Sequence, residues 1–139
     1  MSYCSQQDLV DRYGSDELGL ITSGVKGQID GTKVARALTD TDSLINSYIA
    51  ERYTVPVNPV PSALNAAACA IARYKLWVNK ASERITQDYK DALAWLVQIA
   101  AGTASLADAQ SAPTEQVSGS SVKIVAPARK FTSCSLKDL

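Results

Sequence analysis

Three long stretches of the chain place apolar residues three and four positions apart, which is the spacing that lines one face of an α-helix. The clearest stretch starts at Asp30, a suitable N-cap residue, and continues to Glu51. Its apolar face is predicted to consist of Val34, Leu38, Thr41, Ile45, Tyr48 and Ile49. Its opposite face is polar and consists of Arg36, Asp40, Ser43, Ser47 and Glu51. This pattern predicts an amphipathic helix with one side packed on a core.

The other two long stretches follow a connector, Val55 to Pro61, whose three prolines disfavour helix. Ser62 is expected to cap a helix that continues to about Lys80. Because this stretch is rich in alanine and apolar over most of its circumference, we predict that it is the central helix. A last helix is predicted from Ser82 to Ala101, with Gly102 as its stop.

The region before these helices contains one short helical signal and many glycines. Ser5 and Asp8 form a capping-box pattern, so a short helix is expected to end at Gly14. Five of the seven glycines lie between Gly14 and Gly31, which predicts an exposed, mobile loop with at most a single turn near residues 16–20. The predicted fold class is therefore all-α, with a core like a four-helix bundle.

The composition changes near the end of the predicted core. Residues 111–121 are rich in Ser, Pro, Thr and Gln, as in a linker. Residues 122–125 alternate like a short strand, and a basic and apolar tail follows. We therefore predict a helical core domain at 1–110, and a linker with an extended docking arm at 111–139. The candidate partner-binding residues of the arm are Arg129, Lys130, Phe131, Leu136 and Leu139.

The composition also limits the chemistry that we expect. The chain has no histidine, which is the commonest general base, and its three cysteines are widely spaced. We therefore expect no enzyme activity, no cofactor, no metal site and no disulfide framework. Cys69 is predicted to be an inert small hydrophobe, whereas Cys4 and Cys134 are predicted to be exposed thiols.

The charge balance and hydropathy bear on the partners. Fourteen basic residues balance fourteen acidic ones, so the basic surplus of an autonomous nucleic-acid binder is missing. No stretch approaches the roughly 18 apolar residues of a membrane-spanning helix, and no signal peptide is evident at the start. The expected partners therefore do not include a membrane.

Several short motifs have a plain and a functional interpretation. Ser23-x-x-Lys26 and Gly24-x-x-Gly27 lie in the glycine-rich region without companion motifs, so we interpret them as chance matches. The aromatic residues Tyr48, Tyr53, Tyr74 and Trp77 are interpreted as core rather than as a base-stacking platform. The pairs Arg52-Tyr53 and Arg73-Tyr74 are candidates for contacts between helix ends or between subunits.

A series of aromatic, aliphatic and arginine positions follows a particular order along nearly the whole chain. The series is Asp8-Leu9, Arg12-Tyr13-Gly14, Ile29-Asp30, Ala37-Leu38, Tyr48-Ile49, Arg52-Tyr53, Pro56, Pro61, Leu64, Ile71-Ala72-Arg73-Tyr74, Tyr89, Ala92, Trp95-Leu96, Gly102, Arg129, Phe131 and Leu136. This order resembles a Mu-like phage and prophage family, gene product thirty-six in Mu gene order. The sequence departs from it at Asn46, where we expect an acidic residue, and at Ser133-Cys134, where we expect an Arg-Asp pair.

The resemblance implies a structural virion protein: a head–tail connector subunit that is made in the cytoplasm of the bacterial host. It implies a cyclic homo-oligomer beneath the portal, with the subunit number left open and about twelve as one alternative. DNA would pass through this ring without sequence-specific binding, and the arm would bind the portal or a neighbouring neck or tail protein. Under this interpretation Arg52, Tyr53, Arg73 and Tyr74 lie between subunits.

Two other function classes remain as alternatives. A tail-completion protein that binds the tail tube has the same sequence features as a connector. A DNA-binding regulator would need a short turn before a basic recognition helix, which the proline-rich connector does not provide.

Overall fold

The computed structural model describes residues 2–106, and this part of the chain contains five α-helices and no strand. The helices are α1 (Gln6–Tyr13), α2 (Ser15–Thr22), α3 (Gly31–Ile49), α4 (Ser62–Leu76) and α5 (Glu83–Ala101). The all-α prediction is confirmed. The predicted linker, strand and arm at 111–139 lie outside the described residues.

Local capping chemistry starts three of the helices where the sequence predicts. The Ser5 hydroxyl accepts a hydrogen bond from the Asp8 backbone N–H, and the Asp8 carboxylate accepts one from Ser5 N–H. Asp30 caps α3, and Ser82 caps α5 by accepting from Ile85 N–H. Each cap satisfies N–H groups that have no partner within the helix.

The glycine-rich region differs from its prediction, because residues 15–22 form α2 rather than a loop. Gly14 has φ +87°, which ends α1 and turns the chain into α2. Leu18 and Thr22 are buried, so α2 contributes side chains to the core. Asp16 and Glu17 in the first turn favour the helix dipole.

Helix α4 occupies the central position that its composition predicts. It packs against α1, α3 and α5, and its buried face includes Leu64, Ala68 and Ile71. Since alanine side chains are short, they let the neighbouring helices approach closely.

Both ends of α4 differ from their predicted positions. Ser62 is its first residue rather than its cap, because Pro61 occupies the N-cap position and makes no side-chain cap hydrogen bond. The helix ends at Leu76, since the backbone of Trp77 leaves the helical region. Val78 lies within the helix predicted to continue to about Lys80, yet it follows the observed helix and is 84% exposed.

The first described residues add to the core in a way that the sequence did not indicate. Tyr3 and Cys4 are both buried, so the prediction of an exposed Cys4 thiol is wrong. The Tyr3 hydroxyl accepts a hydrogen bond from Val57 N–H at 3.2 Å, which holds the proline-rich connector against the N-terminal segment. As predicted, the connector is not helical. The peptide bonds before Pro56 and Pro59 are cis.

No helix among residues 2–106 combines the length and apolar character needed to cross a membrane.

Candidate interaction surfaces

An apolar patch lies where the end of α2 meets the α4–α5 connection. Leu20 is 49% exposed and Val78 is 84% exposed. Ile21, Leu76 and Trp77 lie between and beneath them. We call these five residues the apolar patch. Exposed apolar groups that adjoin one another mark sites of protein contact.

A groove of about 450 Å³ continues the patch toward α3. Its floor includes Ile21, Ala37 and Leu76, and its rim carries three cations and one carboxylate. The rim residues are Lys33, Arg36, Lys75 and Asp40. The Lys33 ammonium donates to the backbone oxygen of Thr22 at 2.6 Å, so it also ties α3 to the end of α2. This face therefore combines an apolar floor with a mainly cationic rim.

Trp77, one of the five patch residues, has a buried indole N–H. Within residues 2–106, its buried Nε1 has no hydrogen-bond acceptor. A buried donor without an acceptor costs free energy, so this group sets Trp77 apart from the core aromatics.

The second Arg-Tyr pair of the sequence joins helices within one chain. The Arg73 guanidinium donates to the Glu17 carboxylate through Nε at 2.6 Å and through Nη2 at 2.9 Å. It also lies 4.2 Å above the ring of Tyr13. The Tyr74 ring stacks on Tyr89 at a centroid distance of 4.1 Å. Arg73 thus connects α4 to α1 and α2, while Tyr74 connects it to α5.

The first pair also makes intrachain contacts. The Tyr53 hydroxyl accepts a hydrogen bond from Leu106 N–H at 3.0 Å. The exposed Arg52 guanidinium lies against Gly102, where a Cβ atom would be only 2.0 Å from Arg52 Nη1. All four residues of the two Arg-Tyr pairs therefore make contacts within one subunit. Their role between subunits stays a prediction.

Polar groups around Tyr3 hold the N-terminal segment on the helices. Tyr3 N–H donates to the Asp42 carboxylate at 3.0 Å, and the hydroxyl donates to the Asn46 side-chain oxygen. Burial raises the pKa of Tyr3, and the nearby Asp42 charge adds to this, while the hydrogen bond from Val57 N–H opposes it. The family resemblance predicts an acidic residue at position 46. The chain has Asn46 there, and its side-chain amide oxygen accepts the hydrogen bond from the Tyr3 hydroxyl.

The other motif residues are used in local structure. The Ser23 hydroxyl accepts from Val25 N–H at 3.2 Å and contacts the Gly19 carbonyl at 3.0 Å, so it organises the turn after α2.

Within the described part of the chain, no group of three or more Cys, Asp or Glu side chains is placed to hold a metal ion. The predicted arm residues Arg129, Lys130, Phe131, Leu136 and Leu139 lie outside that part.

Fold and surface together define a small all-α protein with an apolar patch left open to solvent. Its family follows from sequence comparison: residues 3–124 match the family described as "Bacteriophage Mu, Gp36". The chain belongs to this phage protein family.

Two relatives illustrate the similarity. The chain is 37% identical to the "Mu-like prophage FluMu protein gp36" of Haemophilus influenzae over 105 residues, which are 75% of this chain and 74% of the relative. It is 34% identical to "Gene product J" of Escherichia phage Mu over 104 residues, which are 73% and 74% of the two chains. The resemblance predicted from the order of residues is confirmed.

Proposed function

We propose that this Mu Gp36 family protein is a structural subunit of the virion, located in the head–tail connector as a ring under the portal. The observation that carries the proposal is the apolar patch, which a free helical subunit leaves exposed and an assembled one would cover. Burying apolar surface is favourable by about 25 cal/mol per Å². Covering the patch would therefore stabilise an assembly.

A closed ring would cover the patch of every subunit. In a cyclic assembly with head-to-tail contacts, the patch of each subunit faces a different surface of the next, and closure leaves none open. The rim cations of the groove would steer a neighbour that presents carboxylates. Since Arg73 and Tyr74 join α4 to its neighbours, they would keep this contact surface rigid.

The charge of the whole chain suits a channel that DNA crosses. Tight pairing of phosphates with Lys and Arg gives strong nonspecific binding, which would hinder passage. With fourteen basic and fourteen acidic residues, the chain has no surplus for such pairing. The proposed role requires no catalysis and no cofactor, and the arm residues Phe131, Leu136 and Leu139 would supply apolar anchors for the portal or an adjoining ring.

Two matched substitutions test whether the patch mediates assembly. Val78→Asp places a charge in the patch, whereas Val97→Asp places the same charge at a 52% exposed valine on α5 that does not line the groove. We expect Val78→Asp to weaken ring assembly in the presence of the purified portal at least tenfold, because a desolvated carboxylate opposes apolar contact between subunits. Val97→Asp should assemble like the parent chain.

Size-exclusion chromatography with light scattering, followed by negative-stain imaging, measures both ring formation and docking. Mixing with portals and separately with tail tubes distinguishes a connector from a tail-completion protein. Equal ring assembly by the two variants would show that the patch is not the contact surface between subunits. Rings that bind tail tubes but not portals would contradict the connector proposal and support the tail-completion alternative.

A further inference from the structure

Two of the three cysteines meet in the core although 65 residues separate them in the chain. The Sγ atoms of Cys4 and Cys69 lie 2.7 Å apart, whereas the sulfur atoms of a disulfide are about 2.04 Å apart. Both are reduced thiols, and they are 1% and 0% exposed. Cys4 belongs to the segment before α1, and Cys69 lies in the middle of α4.

The contacts that bring the sulfurs together do not depend on sulfur. Asn65, one turn before Cys69, donates through Nδ2 to the Tyr3 carbonyl at 3.0 Å and to the Asp8 carboxylate at 3.1 Å. Its Oδ1 accepts from the Arg12 guanidinium at 3.0 Å. These three hydrogen bonds hold the N-terminal segment against α4. The two sulfur atoms are therefore adjacent before any covalent bond forms between them.

We propose that Cys4 and Cys69 form a disulfide site: the chain folds as a dithiol under reducing conditions, and the pair closes when it meets a low-molecular-weight disulfide such as glutathione disulfide. The inference rests on the side-chain contacts and does not depend on the connector role.

The reaction balances as a thiol–disulfide exchange in two steps. One cysteine of the pair attacks, as its thiolate, one sulfur of glutathione disulfide, which forms a mixed disulfide and releases one glutathione thiolate that takes up a proton. The other cysteine then loses its proton and attacks the protein sulfur of the mixed disulfide, and the second glutathione leaves as a thiolate that takes up that proton. Two protein thiols are oxidised by two electrons, and one glutathione disulfide is reduced to two glutathiones.

The surroundings of the pair favour formation of a thiolate. The hydrogen bond between the thiols lowers the pKa of Cys69, and the charge of Arg12 acts in the same direction, while burial opposes both. A sulfur that has lost its proton therefore keeps a hydrogen bond from its partner, which stabilises the attacking thiolate.

Access for the oxidant requires the N-terminal segment to lift, because both sulfurs are buried. Segments outside the helices open locally at a lower free-energy cost than global unfolding requires, and the residues before α1 are such a segment. Asn65→Ala removes the two hydrogen bonds to Tyr3 and Asp8, and we expect it to accelerate oxidation several-fold. The matched change Asn79→Ala, at an exposed asparagine in the α4–α5 connection, should not.

The test uses the full-length chain carrying Cys134→Ser, so that the two paired thiols are the only ones in the chain. After incubation with glutathione disulfide, we expect the intact mass to fall by two hydrogens. A non-reducing tryptic digest should link the peptides of Cys4 and Cys69. The melting temperature should rise by roughly 10 °C or more, since the bond closes a long loop, and dithiothreitol should reverse the rise.

Two single-cysteine chains, Cys4→Ser and Cys69→Ser in the same background, should show no such rise. The proposal is overturned if both thiols of the parent remain alkylatable after prolonged oxidation. It is also overturned if oxidation stops at the glutathione adduct, or if the linked chain melts no higher than the reduced one.

Discussion

At the scale of single residues, Asp8 holds together the beginning of the described chain. Its carboxylate accepts hydrogen bonds from Ser5 N–H at 2.8 Å, from the Ser5 hydroxyl at 2.9 Å and from Asn65 Nδ2 at 3.1 Å. The backbone N–H of Ser5 is the main cause that lowers the pKa of Asp8, and the Ser5 hydroxyl, Asn65 and the Arg12 charge add to it. One side chain thus caps α1 and binds α4.

This lowered pKa predicts a specific acid sensitivity. A carboxylate whose folded pKa is depressed contributes stability above its unfolded pKa, about 3.9, and loses it as the pH falls through the folded value. The melting temperature of the parent chain should therefore drop more steeply than that of Asp8→Asn between about pH 5 and about pH 2. Thermal unfolding followed by circular dichroism at several pH values measures the difference. Parallel curves for the two chains would contradict the assignment, and Asp11→Asn, at an exposed position on the same helix, is the control.

At the scale of elements, α2 shows how close backbone approach can favour glycine inside a helix. The segment after α2 folds back over Gly19, where a Cβ atom would lie 2.5 Å from the Val25 oxygen and 2.6 Å from the Gly27 nitrogen. These neighbours are backbone atoms and cannot rotate away. Gly19 therefore permits close packing between α2 and the turn that follows it.

A pair of glycine substitutions tests that explanation. Gly19→Ala should destabilise the fold by about 1–3 kcal/mol, because the added methyl group overlaps backbone atoms. Gly31→Ala, at the first residue of α3, meets only the Gln6 side chain at 3.8 Å and should leave stability unchanged or raise it by up to about 1 kcal/mol. Urea unfolding of both variants gives the comparison. Similar unfolding midpoints would show that α2 and the following turn are not in close contact.

At the scale of the whole molecule, the helical core includes Leu106, the last residue that the structure describes. Leu106 is buried, and its backbone N–H donates to the hydroxyl of Tyr53, which follows α3. The body therefore extends past α5 and uses the start of the region that precedes the predicted linker.

Two truncations separate this closing contact from the proposed arm. A chain that ends at Ser111 should keep its helical circular dichroism and a cooperative melt. A chain that ends at Gly102 loses the Leu106 side chain, worth about 1.5–3 kcal/mol when buried, and its hydrogen bond, worth about 0.5–1.5 kcal/mol. We expect its melting temperature to fall well below that of the longer chain. If the chain ending at Ser111 melted without cooperativity, the proposed domain boundary at residue 110 would be wrong.

The interaction surface was less predictable than the helices. The sequence placed Val78 inside the predicted central helix, and only the end of α4 at Leu76 made it the most exposed residue of the apolar patch. The pair Arg73-Tyr74 was a candidate for contacts between helix ends or subunits, but the partner of Arg73, Glu17, lies 56 residues away, in a region predicted to be loop. No local pattern indicated either the patch or this ion pair.

The sequence by itself determined the all-α class, the caps at Ser5, Asp30 and Ser82, and the extent of α3 and α5. These features depend on hydrogen bonds and apolar spacing within one or two turns, so neighbouring residues encode them. The tertiary structure alone decided that α2 is a helix and that Cys4 lies against Cys69. Such contacts join segments distant in the chain, and they form because apolar groups must pack at high density, which no local spacing specifies.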